Sequence, residues 1–259
     1  MIDTGEKKFK YIYGPVFSWR LGISLGIDPL SREEKICSFD CVYCQLGKTK
    51  NLTKERKRFV SEEEIVREIE SLSSLKVDSI TFSGAGEPTI AENLEEIIKR
   101  IREIRREKIA ILTNSSLIDR EDVRRDLALF DLVIAKLDAF SEESFQKINR
   151  PIRDIKFNQI LKGIRDFKDK AKLALQIMFA EENRDEAKKL AELTKEISPF
   201  QVQINTPLRP CGTRSLSKEA ICKIKEYFEG LNTICVYDVE KKKVSPLNEE
   251  GILRRRGEL

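Results

Sequence analysis

Residues 79–137 read SITFSGAGEPTIAENLEEIIKRIREIRREKIAILTNSSLIDREDVRRDLALFDLVIAKL, and the spacing of their apolar positions decides the fold. Ser79 to Phe82, Ile109 to Leu112 and Leu132 to Leu137 are short runs that suit buried strands. Ala91 to Arg106 and a shorter stretch from Arg120 carry helical patterns between them. The alternation continues in both directions. Downstream come helices near Ser141 to Ile148 and Phe157 to Phe167, a strand at Leu173 to Phe179, a helix at Asp185 to Ile197, a strand at Val202 to Ile204 and a helix from Lys218 to Phe228. Upstream, Ser61 and Glu64 fit a capping box ahead of Ile65, Val66 and Ile69, so a helix begins at Ser61, and a first strand falls near Leu21 to Ile27.

Repeated β-then-α units predict a parallel sheet with helices outside. Six such units fall short of the eight of a complete barrel, so the expected fold is α/β, an open and partial (β/α)6 barrel of TIM type. A flat doubly wound sheet shares the same periodicity. One domain is expected over residues 1–259, with its core at about 11–230. A polar, lysine-containing start and an ordered lead-in from Tyr11 to Asp28, holding the only tryptophan, Trp19, precede that core. An added strand at Thr233 to Val239 and a charged tail through Arg254 to Arg256 make a short extension at about 231–259.

With 48 basic and 44 acidic side chains the net charge is only +4, too small by itself to imply a polyanionic partner. Lys48 to Arg58 holds six basic residues and one acid and reads as an exposed loop, the feature that most suits nucleic acid. No apolar run approaches the roughly 18 residues a membrane helix needs, and no apolar signal segment opens the chain, which predicts a cytoplasmic protein without a membrane partner. In a reducing compartment the six cysteines are expected to bind metal or do redox chemistry rather than form disulfides. Histidine is absent. That excludes Ser/His/Asp and Cys/His nucleophilic machinery, HExxH zinc sites and imidazole acid–base catalysis.

Three of the cysteines stand together in Lys35-Ile-Cys-Ser-Phe-Asp-Cys-Val-Tyr-Cys-Gln-Leu-Gly47, with Cys37, Cys41 and Cys44 at spacing CxxxCxxC. A zinc site usually takes four protein ligands in two pairs, whereas three thiolates can hold a cubane and leave one iron open. The residues alone also admit free thiols, or a zinc site completed by Cys211, Cys222 or Cys235. Those last three could hold a second cluster, but their wide spacing favours buried thiols.

With Tyr43 just before the last cysteine, the segment resembles the cluster motif of the radical S-adenosylmethionine (SAM) superfamily. Together with Tyr13-Gly-Pro-Val-Phe-Ser-Trp-Arg-Leu-Gly-Ile-Ser-Leu-Gly26 it is similar to a branch of small Fe-S oxidoreductases distantly related to archaeal wybutosine-type tRNA-modifying enzymes. That branch usually reads Ser-Arg-Arg-Leu-Gly, and Trp19 replaces its first arginine here. The resemblance implies a [4Fe-4S] cluster on Cys37, Cys41 and Cys44, SAM as second cofactor, and an external one-electron donor of ferredoxin or flavodoxin type. Reduction of SAM would then give methionine and a 5′-deoxyadenosyl radical, which abstracts hydrogen from a substrate the sequence does not identify.

The resemblance also implies that Tyr43 lies by the adenine. It matches Gly84-Ala85-Gly86-Glu87, with Pro88 stiffening the turn, to a GGE element that hydrogen-bonds the SAM amino group. At later strand ends Asn114, Ser115, Lys136, Asp138, Gln176 and Asn205 are candidate SAM contacts, chemically suited to an amino acid or a ribose diol. Arg20, Arg209 and Arg214 are candidates for an anionic substrate, and Cys211, expected on the open face near Arg209, for hydrogen-atom donation. Competing functions are tRNA nucleoside modification, activation of a glycyl-radical partner, and a non-catalytic module that holds zinc or iron.

Overall fold

A computed structural model describes residues 9–257, so the lysine-containing start and the last two positions lie outside the described residues. Strands β1 (Ile12–Ser18) and β2 (Gly22–Ile27) form an antiparallel hairpin at one edge of the main sheet. A small parallel ribbon follows, β3 (Ile36–Cys37) with β4 (Asn51–Leu52), and brackets the cysteine segment. Then α1 (Glu62–Glu70) begins the regular alternation: β5 (Ser79–Phe82), α2 (Leu94–Ile104), β6 (Lys108–Thr113), α3 (Glu121–Leu127), β7 (Leu132–Lys136), α4 (Glu142–Ile148), α5 (Phe157–Phe167), β8 (Leu173–Met178), α6 (Ala187–Ile197), β9 (Gln201–Asn205), α7 (Lys218–Glu226) and β10 (Thr233–Cys235). The chain's last helix is α8 (Glu249–Arg256). The sheet order is β1-β2-β5-β6-β7-β8-β9-β10, parallel throughout except for β1, and the sheet curls into a half-barrel.

Strand periodicity explains both faces of this sheet. Leu25, Ile27, Ile80, Phe82, Ile109, Ile111, Val133 and Leu175 point to the helices and share one core with Ile65, Ile69, Ile97, Ile101 and Ile164. The alternate positions mix polar with apolar side chains. Ser24 bonds Thr81 at 2.6 Å, Lys136 reaches Gln176 at 3.5 Å, and Gln203 donates to Gln201 at 2.9 Å. An apolar exterior wrapped in helices and a more polar lumen are what strands with two different surroundings require. Ser61 caps α1 with Glu64 in the expected capping box, and among the described residues no helix is long and apolar enough to cross a membrane.

Four expectations need correction. The lead-in is the hairpin strand β1, and its alternation is broken by a register shift between Tyr13 and Val16. The helix expected from Ala91 starts at Leu94, because Pro88–Ile90 form a single 3-10 turn first. The basic stretch from Lys48 to Arg58 is largely exposed as expected, but part of its charge is paired: Lys50 with Glu34, Lys54 with Asp154 and Arg58 with Glu62. The Arg56 side chain turns inward, meeting Asp122 at 2.8 Å and also Asp126, while Nε and Nη2 donate to the carbonyls of Thr89 (3.0 Å) and Ala91 (2.9 Å).

The charged tail is α8. Asn248 caps its start, acids fill its first turn and arginines its last, which matches the helix dipole. Its anchor is Arg255, whose Nε donates to Asp28 at 2.8 Å with side-chain exposures of 0% and 1%. An ion pair and caps hold it, where an apolar stripe holds the other helices.

Candidate functional site

The cysteine segment leaves the top of β2 and is clamped on two sides by main-chain bonds. On one side Ile36 N–H donates to Ala85 (3.0 Å) and Glu87 N–H donates to Ile36 (3.0 Å), a parallel rung onto the glycine loop. On the other side Asp40 N–H donates to the carbonyl of Arg150 (3.0 Å) and Val42 N–H to that of Ile148 (3.0 Å), at the end of α4. Within the segment Cys44 N–H reaches the carbonyl of Cys41 at 3.0 Å. The loop's shape is therefore set by backbone bonds and not by the thiols. Cys37 is buried, whereas Cys41 and Cys44 are half-buried.

Burial pushes the Cys37 thiol up, with the charge of Glu87 adding to it, and pushes Cys41 up to about 11. Since thiolates ligate metal, loading the site must release protons, which a multiply charged iron centre drives. Lys35 helps. Burial works against its charge, but the thiols of Cys44 and Cys37 outweigh that and hold it above its ordinary value; its Nζ donates to the Gly47 carbonyl at 3.0 Å. Among the described residues no three metal-ligating side chains converge as around a single ion. A cluster does not need that, because each thiolate binds a different iron. The donor set fits a three-cysteine cubane.

The glycine loop is tightly specified. Gly84 and Gly86 have φ of +155° and +152°, and a Cβ at Gly86 would overlap the carbonyl oxygen of Ile36. Gly86→Ala is therefore expected to break the rung that joins the two loops; iron uptake on reconstitution should fall at least tenfold, and unchanged uptake would show the rung to be dispensable. Glu87 is fully engaged: it accepts from Thr89 (N–H 3.1 Å, Oγ1 2.7 Å), Thr113 (Oγ1 2.6 Å) and Asn114 (N–H 2.6 Å). Burial raises its pKa against these bonds. Its carboxylate ties the loop to the end of β6, and Pro88 opens the following turn.

Opposite lies a second buried network. Tyr43 donates to Asp138, Asn149 Nδ2 donates to Asp138 at 2.9 Å and Tyr43 at 3.1 Å, and Met178 N–H donates to Asp138 at 2.8 Å. Burial, then the charge of Asp138, lifts the Tyr43 hydroxyl well above its ordinary range. Lys136 sits 4.5 Å from the Tyr43 ring centre and 3.5 Å from Asp138, and reaches Gln176. The sequence reading brought Tyr43, Lys136, Asp138 and Gln176 forward separately and missed Asn149, which is the C-cap of α4 and carries no motif. It also missed Lys35, which its place two residues before Cys37 marks.

Asn114 donates to Ser38 (2.9 Å) and Cys37 (3.5 Å), and Ser115 to the carbonyl of Lys136 (3.0 Å), so both brace the strand ends beside the thiols. Asn205 is half-buried and accepts from Thr206 N–H at 3.0 Å. Cys211 packs with Cys41 against Val42, Tyr43, Ile148 and Met178, at the open face as expected. Cys222 is exposed on α7 and Cys235 buried on β10, so the three remaining cysteines have three different surroundings and Cys222 is not the buried thiol expected. Arg214 is exposed, whereas Arg209 is half-buried and bonded to the end of α8. A cavity of about 310 Å³ opens between the cysteine segment and α8, where Lys35, Gln45, Ala85, Pro210 and Arg254 line it.

Residues 35–194 match the Radical SAM superfamily. A UPF0026 protein of Synechocystis sp. is 42% identical over 205 residues, covering 78% of this chain and 77% of the relative. The structure of TYW1 with a lysine-pyruvate adduct bound shares the fold with a TM-score of 0.63 at 17% identity, over 80% of this chain and 74% of that one. Streptococcus suis SuiB bound to S-adenosylmethionine superposes with a TM-score of 0.60 at 15% identity, over 78% of this chain and 48% of that one. A family match that spans the cysteine segment, the glycine loop and the strands that carry Tyr43's partners makes the chain a member of the radical SAM superfamily.

Proposed function

We propose that this chain is a one-domain cytoplasmic enzyme that holds a [4Fe-4S] cluster on Cys37, Cys41 and Cys44, takes one electron from a ferredoxin- or flavodoxin-type donor, and uses SAM to abstract hydrogen from a substrate. When bound, the cluster supplies the electron that cleaves SAM to methionine and a 5′-deoxyadenosyl radical. The chain's own residues supply position and shielding. Asn114 and Lys35 steady the thiols, the glycine loop offers backbone atoms to an amino group, and Tyr43, buried beneath Lys136, holds the end of the segment where adenine is expected. Glu87, Asn114 and Ser115 spend their side-chain groups on the protein and act as braces of the strand ends around the cofactor.

The observation that carries this reading is the rung between Ile36 and Gly86, which joins the start of the three-cysteine segment to a close-approach glycine loop. Pairing of Lys50, Lys54, Arg56 and Arg58 with carboxylates lowers the positive charge that this stretch offers to a tRNA substrate. Anaerobic reconstitution with iron and sulfide tests the proposal. A brown protein that forms 5′-deoxyadenosine from SAM on reduction is expected; a colourless protein that takes up zinc alone would replace the enzyme with a metal-binding module.

A further inference from the structure

Two cations line the cavity between the cysteine segment and α8, Lys35 from one side and Arg254 from the other. Lys35 is 8% exposed; its Nζ donates to the Gly47 carbonyl at 3.0 Å, and Gly47 N–H donates in turn to the carbonyl of Cys44 at 3.1 Å. Asp40 stays 4.0 Å from that ammonium and already accepts the Thr49 N–H at 2.6 Å. Burial opposes the charge of Lys35, and the thiols of Cys44, Cys37 and Cys41 favour it. Arg254 donates Nη2 to the Lys10 carbonyl at 3.1 Å and keeps Nε buried without an acceptor. Glu33, which is exposed, is the acid of the same wall.

Three contacts fix α8 in that place. Arg255 meets Asp28 at 2.8 Å, and Arg209 Nη1 donates to the carbonyls of Arg256 (2.9 Å) and Gly257 (2.6 Å). Gly257, at φ +72°, comes so near Gln45 that a Cβ would lie 2.4 Å from its carbonyl oxygen, and Gln45 directly follows Cys44. Arg20 also keeps nitrogens buried without an acceptor but has no part here. It stands 4.6 Å from the Trp19 ring centre in the turn between β1 and β2, at the strand ends opposite the cysteine segment.

A guanidinium donor left buried and unpaired is unfavourable unless negative charge comes near it. Three thiolates bring such charge, and an added electron increases it. We propose that Lys35 and Arg254 act on electron transfer through the cluster, their charges holding its reduction potential up and so favouring acceptance of the donor's electron. The inference rests on the radical SAM reading above and concerns the step before SAM cleavage. Net charge and exposure are among the levers that set the potential of such a cluster. With Lys35 buried and Arg254 half-buried, water screens their charges less than it would at the open surface. The sign separates this role from a merely structural one. Removing a cation lowers the potential, whereas opening the cavity to water solvates the more highly charged reduced state and raises it.

The test uses the full-length chain, reconstituted anaerobically with iron and sulfide and titrated with redox mediators while the EPR signal of the reduced cluster is followed. Arg254→Gln and Lys35→Met should each shift the equilibrium at least tenfold toward the oxidised state, about 59 mV for one electron, at the iron content of the parent. Lys35→Arg, which keeps the charge, should match the parent, as should Lys223→Gln on the exposed face of α7. An unchanged or raised potential in Arg254→Gln overturns the proposal, whether or not Lys35→Met takes up iron. A parent that assembles no cluster removes the radical SAM reading and this inference together, whereas clusters of unaltered potential in both variants remove only the charge role.

Discussion

Chains carrying Cys37→Ala, Cys41→Ala or Cys44→Ala, reconstituted side by side with the parent, are expected to lose the visible absorbance of an iron–sulfur cluster and to form no 5′-deoxyadenosine above background. Three thiolates are the minimum that holds a cubane with one open iron, so removing any one leaves too few ligands. The fold should survive. The segment is shaped by the main-chain bonds of Ile36, Asp40 and Val42, none of which uses a thiol. Even at buried Cys37 the missing sulfur costs on the order of 1 kcal/mol, as for a small core truncation. Circular dichroism should therefore match the parent, and Cys222→Ala, on the exposed face of α7, should keep full cluster content. A chain that retains its cluster after losing Cys41 or Cys44 would sink the ligand assignment.

The second large effect concerns stability. Arg255→Met or Asp28→Asn should each lower unfolding free energy by about 3–5 kcal/mol, because each leaves one charge or its acceptors buried without compensation. Against the about 5–15 kcal/mol that hold a typical domain, that is a large fraction. Asp28 is more than half of an ion pair: it also accepts from Leu30 (3.2 Å), Ser31 (3.1 Å) and Ala85 (3.3 Å) N–H groups. Asp28→Asn should therefore loosen the glycine loop as well as α8, and Arg255→Met chiefly α8. Urea denaturation measures the total, and hydrogen exchange at Ala85 separates the two. The double variant should recover much of the loss, since an amide facing methionine strands no charge. Single variants within the error of the parent would mean that the pair is exchanged for water at little cost.

What was legible in the sequence follows from which forces were at work. Strands that bury one face on helices repeat their apolar residues, and the six parallel strands from β2 to β9 were read in order for that reason. β1 was read only as a lead-in because the irregularity between Tyr13 and Val16 interrupts its alternation. α8 was read as a charged tail because Arg255 and Asp28, which dock it, lie far apart in the chain and leave no periodic trace. At the site, close spacing made Cys37, Cys41 and Cys44 readable, and the glycines of Gly84-Ala85-Gly86-Glu87, which its positive φ angles require, made the glycine loop readable. The side-chain duties of Glu87 and Asn149 depend on which strand ends meet, and that is a property of the closed sheet.

If the cysteine segment holds iron and the glycine loop holds the cofactor as proposed, the rung from Ile36 to Gly86 makes the two captures faces of one equilibrium. A ligand that orders the glycine loop orders the cysteine segment through shared main-chain bonds, and an iron centre that orders the segment presents the loop already formed. Linkage then makes the effect mutual and equal: whatever factor iron adds to the affinity for the nucleoside cofactor, the cofactor adds to the affinity for iron. The two loops thus act cooperatively without any movement between distant parts of the molecule.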